Sequence, residues 1–430
     1  MVSNNLDNIY KELGNDICLL PFLGAFYQTH NVAAVEDGAQ PNSVRPCCLI
    51  TKDMLKKWAI TDQSLYSSRN SPNWLSMREK FAQGQFKSID DCSICAHNES
   101  VNGTSVRQQS NQALTQQLSI DIVGTVKQII ANDYYTQDVY VLDYYPSNYC
   151  NLECVMCSSA SSSRRQVFEV KFLNQRTRIT SNEADPDFLV ALHKVQVINF
   201  AGGETMMQPQ FHAVLDYLIE QGLSRNITIG FLTNATSNTG KVNSKFQHFR
   251  NVVCSLSIDG IGPVIEYQRR GCKWSEVEAN ALELMNNKDI GAVINYVLTN
   301  INVFSFMDFV DWCYTNNYGP EYKEQQRNFV TITPVFRADH LSVTALPPEL
   351  KHTALSRLHA GLMRYRVINT VMSKYYSRII LQAIDIVTAA THDESHLMQF
   401  VQLIQKENLV SARPLQEVVP EWALYLQSNI

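Results

Sequence analysis

The chain has 430 residues, 45% hydrophobic and 18% charged, with a formal net charge of −5. That composition excludes a disordered or nucleic-acid-coating chain and weighs against a broad phosphate-binding surface, while leaving ample apolar material for a large core. The length suggests two or three domains at roughly 150 residues each, although an α/β barrel absorbs about 250 by itself.

The first residues, Met1-Val2-Ser3-Asn4-Asn5, show neither a basic nor an apolar targeting region. Residues 17–26 are too short and too proline-broken to span a bilayer, so a cytoplasmic protein without membrane contact is expected. Eleven cysteines in such a chain point to metal or redox chemistry rather than disulfides, because cytosolic thiols are kept reduced.

Residues 1–105 hold Cys18-Leu19-Leu20-Pro21-Phe22, then Arg45-Pro46-Cys47-Cys48, then Met77-Arg78 before Gly84, and finally Cys92-Ser93-Ile94-Cys95. Two single thiols upstream of a C-x₂-C knuckle make the census of a four-thiolate site, iron-sulfur or zinc. Adjacent Cys47 and Cys48 cannot easily both ligate one centre, so Cys18, Cys47, Cys92 and Cys95 are the expected ligands, with Cys48 the alternative. Residues 106–137 begin Gln- and Ser-rich and turn apolar, as a linker running into a covering element would.

From Val139 onward β-branched runs alternate with helix-patterned stretches, the rhythm of βα units and a parallel sheet. Strands are expected at Val139–Tyr145, Val195–Phe200, Ile227–Leu232, Val252–Ile258, Ala292–Leu298 and Phe329–Phe336. Helices are expected at 158–172, 208–222, 275–287 and 305–316. Directly after the first strand comes Cys150-Asn151-Leu152-Glu153-Cys154-Val155-Met156-Cys157, a C-x₃-C-x₂-C loop. Such a loop can aim three sulfurs at one inorganic cluster, and three thiolates on a cube of four irons leave one iron open. Half of a structural zinc site, or buried free thiols, would use the same residues.

After the second strand stands Ala201-Gly202-Gly203-Glu204-Thr205, where paired glycines let backbone approach a ligand. The third and fourth strands end at Asn234 and at Ser257-Ile258-Asp259, small polar groups suited to hydroxyls or to turn capping. Then follow Tyr267-Gln268-Arg269-Arg270-Gly271 and Trp274. Arg269 could form a bidentate pair with a carboxylate or a surface ion pair. Residues 341–430 are helical in pattern, opened by Leu346-Pro347-Pro348-Glu349, with a tail holding Asp385, Arg413 and Pro420-Glu421-Trp422.

These motifs, in this order, resemble the radical S-adenosylmethionine (SAM) superfamily. The resemblance implies an α/β chain whose residues 138–340 form a partial (β/α)6 barrel, followed by a C-terminal helical extension at 341–430. It implies a [4Fe-4S] cluster on Cys150, Cys154 and Cys157 whose open iron chelates SAM, and reductive cleavage of SAM to a 5′-deoxyadenosyl radical. Gly202, Gly203, Glu204, Asn234, Ser257, Asp259 and Arg269 would contact SAM, and no acid or base is singled out. Met156 departs from the aromatic residue usual before the third cysteine.

The Cys18–Cys95 segment resembles the twitch and SPASM auxiliary-cluster modules, although it precedes the barrel where the familiar modules follow it. The resemblance implies a one-electron reductant such as flavodoxin or ferredoxin, and a peptide or protein substrate. The alternatives are a nucleotide or small metabolite as substrate, or a non-catalytic iron-sulfur or zinc protein.

Overall fold

The computed structural model describes residues 5–34, 43–50, 58, 64–174, 177–181, 186–237, 240–319, 329–335 and 338–427. Its packing separates two units, 1–148 with 175–231 and 247–251, and 149–174 with 232–246 and 252–430. We number the strands of the main sheet β1 Gly24–Gln28, β2 Ser43–Arg45, β3 Val141–Tyr145, β4 Val197–Phe200, β5 Thr228–Thr233, β6 Asn251–Ser257, β7 Gly291–Leu298 and β8 Phe329–Pro334. The six expected strands are β3 to β8. The fold is α/β, with parallel strands alternating with helices and a helical C-terminal region.

In the first unit the strand order is β5-β4-β3-β1-β2. Strands β5, β4, β3 and β1 run parallel, with Leu142 opposite Ile198 and Asp143 opposite Phe26, and β2 closes the edge antiparallel to β1. Period-2 alternation sends Tyr27, Tyr144 and Phe200 to one face, where Phe188 and Phe211 pack on them with ring centroids 4.5 to 6.0 Å apart. The other face carries Phe26, Asp143, Tyr145 and Asn199, a polar lining no core would choose.

The cysteine segment enters this unit through β1, which sequence patterning missed. Three buried cations hold it there. Arg78 donates to the carbonyls of Pro21 and Tyr134, Arg69 to those of Phe22, Gly24 and Asp138, and Arg107 to Asn15, Ile17 and Glu99. The Met77-Arg78 motif therefore has a local physical purpose: its guanidinium satisfies carbonyls beside Cys18 that burial would otherwise strand.

Residues 106–137, expected as a linker running into one covering element, contain two helices, Val106–Gln117 and Ile122–Ala131. Ser105 and Gln108 form a capping box that starts the first helix despite its glutamines, and Asn111 is buried on the carbonyl of Ile17 and the amide of Leu19.

In the second unit β6, β7 and β8 are parallel neighbours, pairing Leu256 with Ile294 and Asn295 with Thr331. Helices Trp274–Asn286 and Phe306–Thr315 lie close to their expected bounds. The extension is three long helices, Pro348–Ile368, Val371–Ala389 and Glu394–Asn408. Asn369 takes the left-handed conformation between the first two (φ 52°), which Asn tolerates better than most residues. The tail is anchored by Trp422, fully buried, whose indole N–H donates to the Asn300 carbonyl at 3.0 Å. No helix among the described residues is long and apolar enough to cross a membrane.

Candidate active site

The C-x₃-C-x₂-C loop is built entirely within the second unit, and the Tyr267–Gly271 motif is its scaffold. Arg269 and Arg270 form a short antiparallel ladder with Cys154 and Glu153, and the Val155 amide donates to the Gln268 carbonyl at 2.8 Å. Gly271 has φ 103°, and a Cβ there would stand 3.3 Å from the Leu152 side chain and 3.4 Å from the Asn151 carbonyl. A side chain at this position would be strained and would press on the cysteine loop. The start of helix Ser163–Phe172 holds the loop from the other side: Ser162 Oγ donates to the Leu152 carbonyl at 2.6 Å, and the Cys150 amide donates to Ser163 Oγ at 3.2 Å.

The sulfurs sit among donors. Arg269 Nη1 lies 3.9 Å from Cys154 Sγ, Asn234 Nδ2 lies 4.0 Å from Cys150 Sγ, and the Leu152 amide lies 3.5 Å from Cys150 Sγ. Cys154 donates its thiol proton to Cys157, which holds Cys157 below the usual thiol range; burial opposes this, and Arg269 and Arg165 assist it. Among the described residues no three His, Cys, Asp or Glu side chains converge on a single ion. Thiolates at separate corners of a cube need not converge, and three thiolates flanked by cations and amide donors suit an anionic iron-sulfur cluster.

Asp259 and Arg269, both expected to touch ligand, are brought together. Arg269 Nε donates to Asp259 Oδ2 at 2.7 Å, and Asp259 Oδ1 accepts the Val297 amide at 2.8 Å. Asp259 is fully buried, with its carboxylate on Arg269 and the end of β7. Burial works against the Arg269 charge, but Asp259 and the Cys154 and Cys157 thiols outweigh it and push its pKa up. Asp259→Asn keeps the acceptor for Val297 and leaves Arg269 uncompensated. We expect it to destabilise the apoprotein by about 3–5 kcal/mol, read as a lower urea midpoint.

Asn234, after β5, donates to Asn151 Oδ1 at 3.0 Å and accepts from Thr236, so it bridges to the cysteine loop. Ser257 ends β6 half-buried, opposite Asn295 of β7. In the first unit, Gly202 has φ 102°, and a Cβ there would meet the Ser147 carbonyl at 2.3 Å. The backbone can be this close only with glycine, and the Gly203 amide donates to the same carbonyl at 3.0 Å. Glu204, 1% exposed, accepts the Met206 amide at 3.2 Å and caps the turn that follows. On the polar face of the same unit Asn199 Nδ2 donates to Asp143 Oδ1 at 2.8 Å. Burial raises the Asp143 pKa, while Asn199 and Arg45 oppose the rise. Neither residue stood out in sequence; an acid inside an otherwise apolar strand was the available signal.

Cys18, Cys47, Cys92 and Cys95 come from separate segments of the first unit and feel one another. Burial raises the Cys92 pKa, and the charges of Cys18, Cys47 and Cys95 add to it; Cys47 is raised by burial and then by Cys48, Cys18 and Cys95. Cys18 is pushed up to about 12, chiefly by burial, with Cys95 contributing. Cys92 caps helix Ser93–Asn102 and Cys95 is its third residue, so the knuckle faces one way from a helix start. Cys18 and Cys95 are buried and Cys47 and Cys92 half-buried, and thiols that raise one another in this way are donors of the kind a thiophilic metal uses.

Residues 144–313 match the Radical SAM superfamily, a superfamily of enzymes. A [4Fe-4S] cluster and SAM are the cofactors the superfamily implies. Among curated proteins the chain is similar to the mycofactocin maturase MftC of Mycobacterium tuberculosis, 27% identical over 163 residues, covering 37% of this chain and 38% of that protein. It is likewise similar to the mycofactocin maturase MftC of Mycobacterium ulcerans, 28% identical over 37% of this chain and 40% of that one. The chain thus spans about two fifths of the length of these relatives. Solved structures with a similar chain include anSMEcpe with bound AdoMet and Kp18Cys peptide (TM-score 0.39, 18% identity, 54% of this chain and 62% of that one). Streptococcus suis SuiB bound to precursor peptide SuiA is another (TM-score 0.36, 15% identity, 63% and 60%).

Proposed function

We propose that this protein cleaves SAM reductively at a [4Fe-4S] cluster held by Cys150, Cys154 and Cys157, and modifies a peptide or protein residue. The observation that carries this reading is the three-thiol loop pinned by the Arg269-Arg270 ladder, with Arg269 and Asn234 donating toward two of its sulfurs. When bound on Cys150, Cys154 and Cys157, the cluster would supply one-electron reduction of SAM, the chemistry that leads to hydrogen removal from a substrate. The chain's own residues hold the parts in place. By the resemblance, Gly202, Gly203 and Glu204 would serve the amino-acid end of SAM, and Asn234 and Ser257 its ribose or carboxylate. Arg269, fixed by Asp259, keeps a cation beside Cys154.

The peptide assignment is supported by the Cys18–Cys95 module and by similarity to proteins named maturases. A second redox centre can accept the electron left on a substrate radical, which suits oxidation or crosslinking of a residue. A small electron carrier, flavodoxin or ferredoxin in type, would supply the first electron.

The test is anaerobic reconstitution followed by reduction with SAM and a co-expressed peptide deuterated at its α and β carbons. Deuterium is expected in 5′-deoxyadenosine. No 5′-deoxyadenosine at all would sink the whole reading, whereas label arriving only from a free metabolite would sink the peptide assignment alone.

A further inference from the structure

The C-terminal extension reaches the cysteine loop through a charge network that the chemistry above does not use. Glu407, on helix Glu394–Asn408, is fully buried between two guanidiniums, paired with Arg165 at 2.6 Å and Arg270 at 2.5 Å. Arg270 continues to Glu153, inside the cysteine loop, at 2.7 Å. Phe168 lies against both guanidiniums, 4.1 Å from Arg165 and 5.0 Å from Arg270. The neighbouring Asn408 accepts the Tyr267 hydroxyl at 3.0 Å, fastening the same helix to the same motif.

Burying one carboxylate with two arginines is expensive, and an apolar trio would clamp a loop as well at less cost. The placement of the charges suggests what is gained. The Arg165 amide donates to Ser162 Oγ, the hydroxyl that holds Leu152 of the cysteine loop, and Arg270 stands one residue from Arg269 on the strand paired with Cys154 and Glu153. Two cations so near a cluster favour its more negative, reduced form, and net charge around a cluster is a main determinant of its potential.

We propose that Glu407 is a positioning residue that sets the reduction potential of the Cys150-Cys154-Cys157 cluster, by neutralising and orienting Arg165 and Arg270. The proposal rests on the cluster assignment made above. It makes the C-terminal helix an electrostatic part of the site, with its effect transmitted through the two arginines.

The experiment is an EPR-monitored redox titration of the reconstituted full-length protein, in which perturbation by SAM identifies the signal of this cluster. Glu407→Gln is nearly isosteric and leaves the arginines uncompensated, so the midpoint should move to a more positive value. Arg165→Met should move it to a more negative value, and the double variant should return toward wild type. A purely structural clamp would give shifts of one sign, or none, and either result overturns the proposal. Should Glu407→Gln fail to assemble a cluster, Arg165→Met decides alone: a negative shift supports the proposal, and no shift or a positive one overturns it. Wild-type protein with no SAM-perturbed cluster signal would overturn the cluster assignment and this proposal together, whereas a normal wild-type signal with unshifted variants removes only the proposal.

Discussion

Replacing Cys150, Cys154 and Cys157 together with Ala is expected to remove about four irons per chain and to abolish SAM-dependent 5′-deoxyadenosine formation. The loss should be complete, since no other thiol is placed to substitute. Cys254 and Cys313 are fully buried in the second unit, and Cys272 is buried and directs its thiol to the Ile265 carbonyl at 3.7 Å. The fold should survive the triple change. The loop's shape comes from the ladder of Arg269 with Cys154, the Val155 amide on Gln268 and the Ser162 hydroxyl on Leu152, and only backbone and serine groups take part in these. Circular dichroism and the urea midpoint of the apoprotein should therefore stay close to wild type while iron and activity fall. Unchanged iron with unchanged SAM cleavage would refute the assignment.

Much of this site was legible because its determinants are local. Three thiols within eight residues and two glycines before an acid are spacing signals that follow strands whose alternation the sequence displays, and the Tyr267–Gly271 run is a spacing signal at the end of helix Gly262–Gln268. What could not be read is non-local. Nothing near Asp259 says that both its oxygens are committed to Arg269 and Val297, because the commitment depends on β7 arriving beside it. Glu407 carries no motif of its own, and only the packed chain sets it between Arg165 and Arg270. The strand β1 is five residues long and follows a proline, too brief for periodicity to announce, yet it pairs with β3 along its whole length. The Ser105–Gln108 capping box, in contrast, is a local pair, and the glutamine-rich composition read as a linker passed over it.

The joining of β1 to β3 also bears on the auxiliary site. Cys18 lies six residues before β1 and Cys47 two residues after β2, so their spacing is fixed by strands of the first unit's sheet. The knuckle is placed independently, by the helix start at Cys92 and by Asp91, whose carboxylate accepts the Trp58 indole at 3.1 Å. The two pairs of thiols are thus carried on separate supports of the first unit.

Changing Cys92 and Cys95 together to Ala should accordingly remove the second metal centre and spare the first. Iron is expected to fall from about eight to about four per chain, and 5′-deoxyadenosine should still form when SAM and a chemical reductant are supplied. What should be lost is product. A hydrogen can still leave the substrate, but the electron that must follow has no acceptor, so 5′-deoxyadenosine accumulates without stoichiometric modification of the peptide. Wild-type protein with about four irons and one zinc would replace the auxiliary cluster by a structural zinc site. In that case the double variant should lose zinc and stability together, because structural zinc contributes directly to folding. Product formed at the wild-type rate by the double variant would show that the four thiols take no part in the reaction, and would leave the Cys150-Cys154-Cys157 site to act alone.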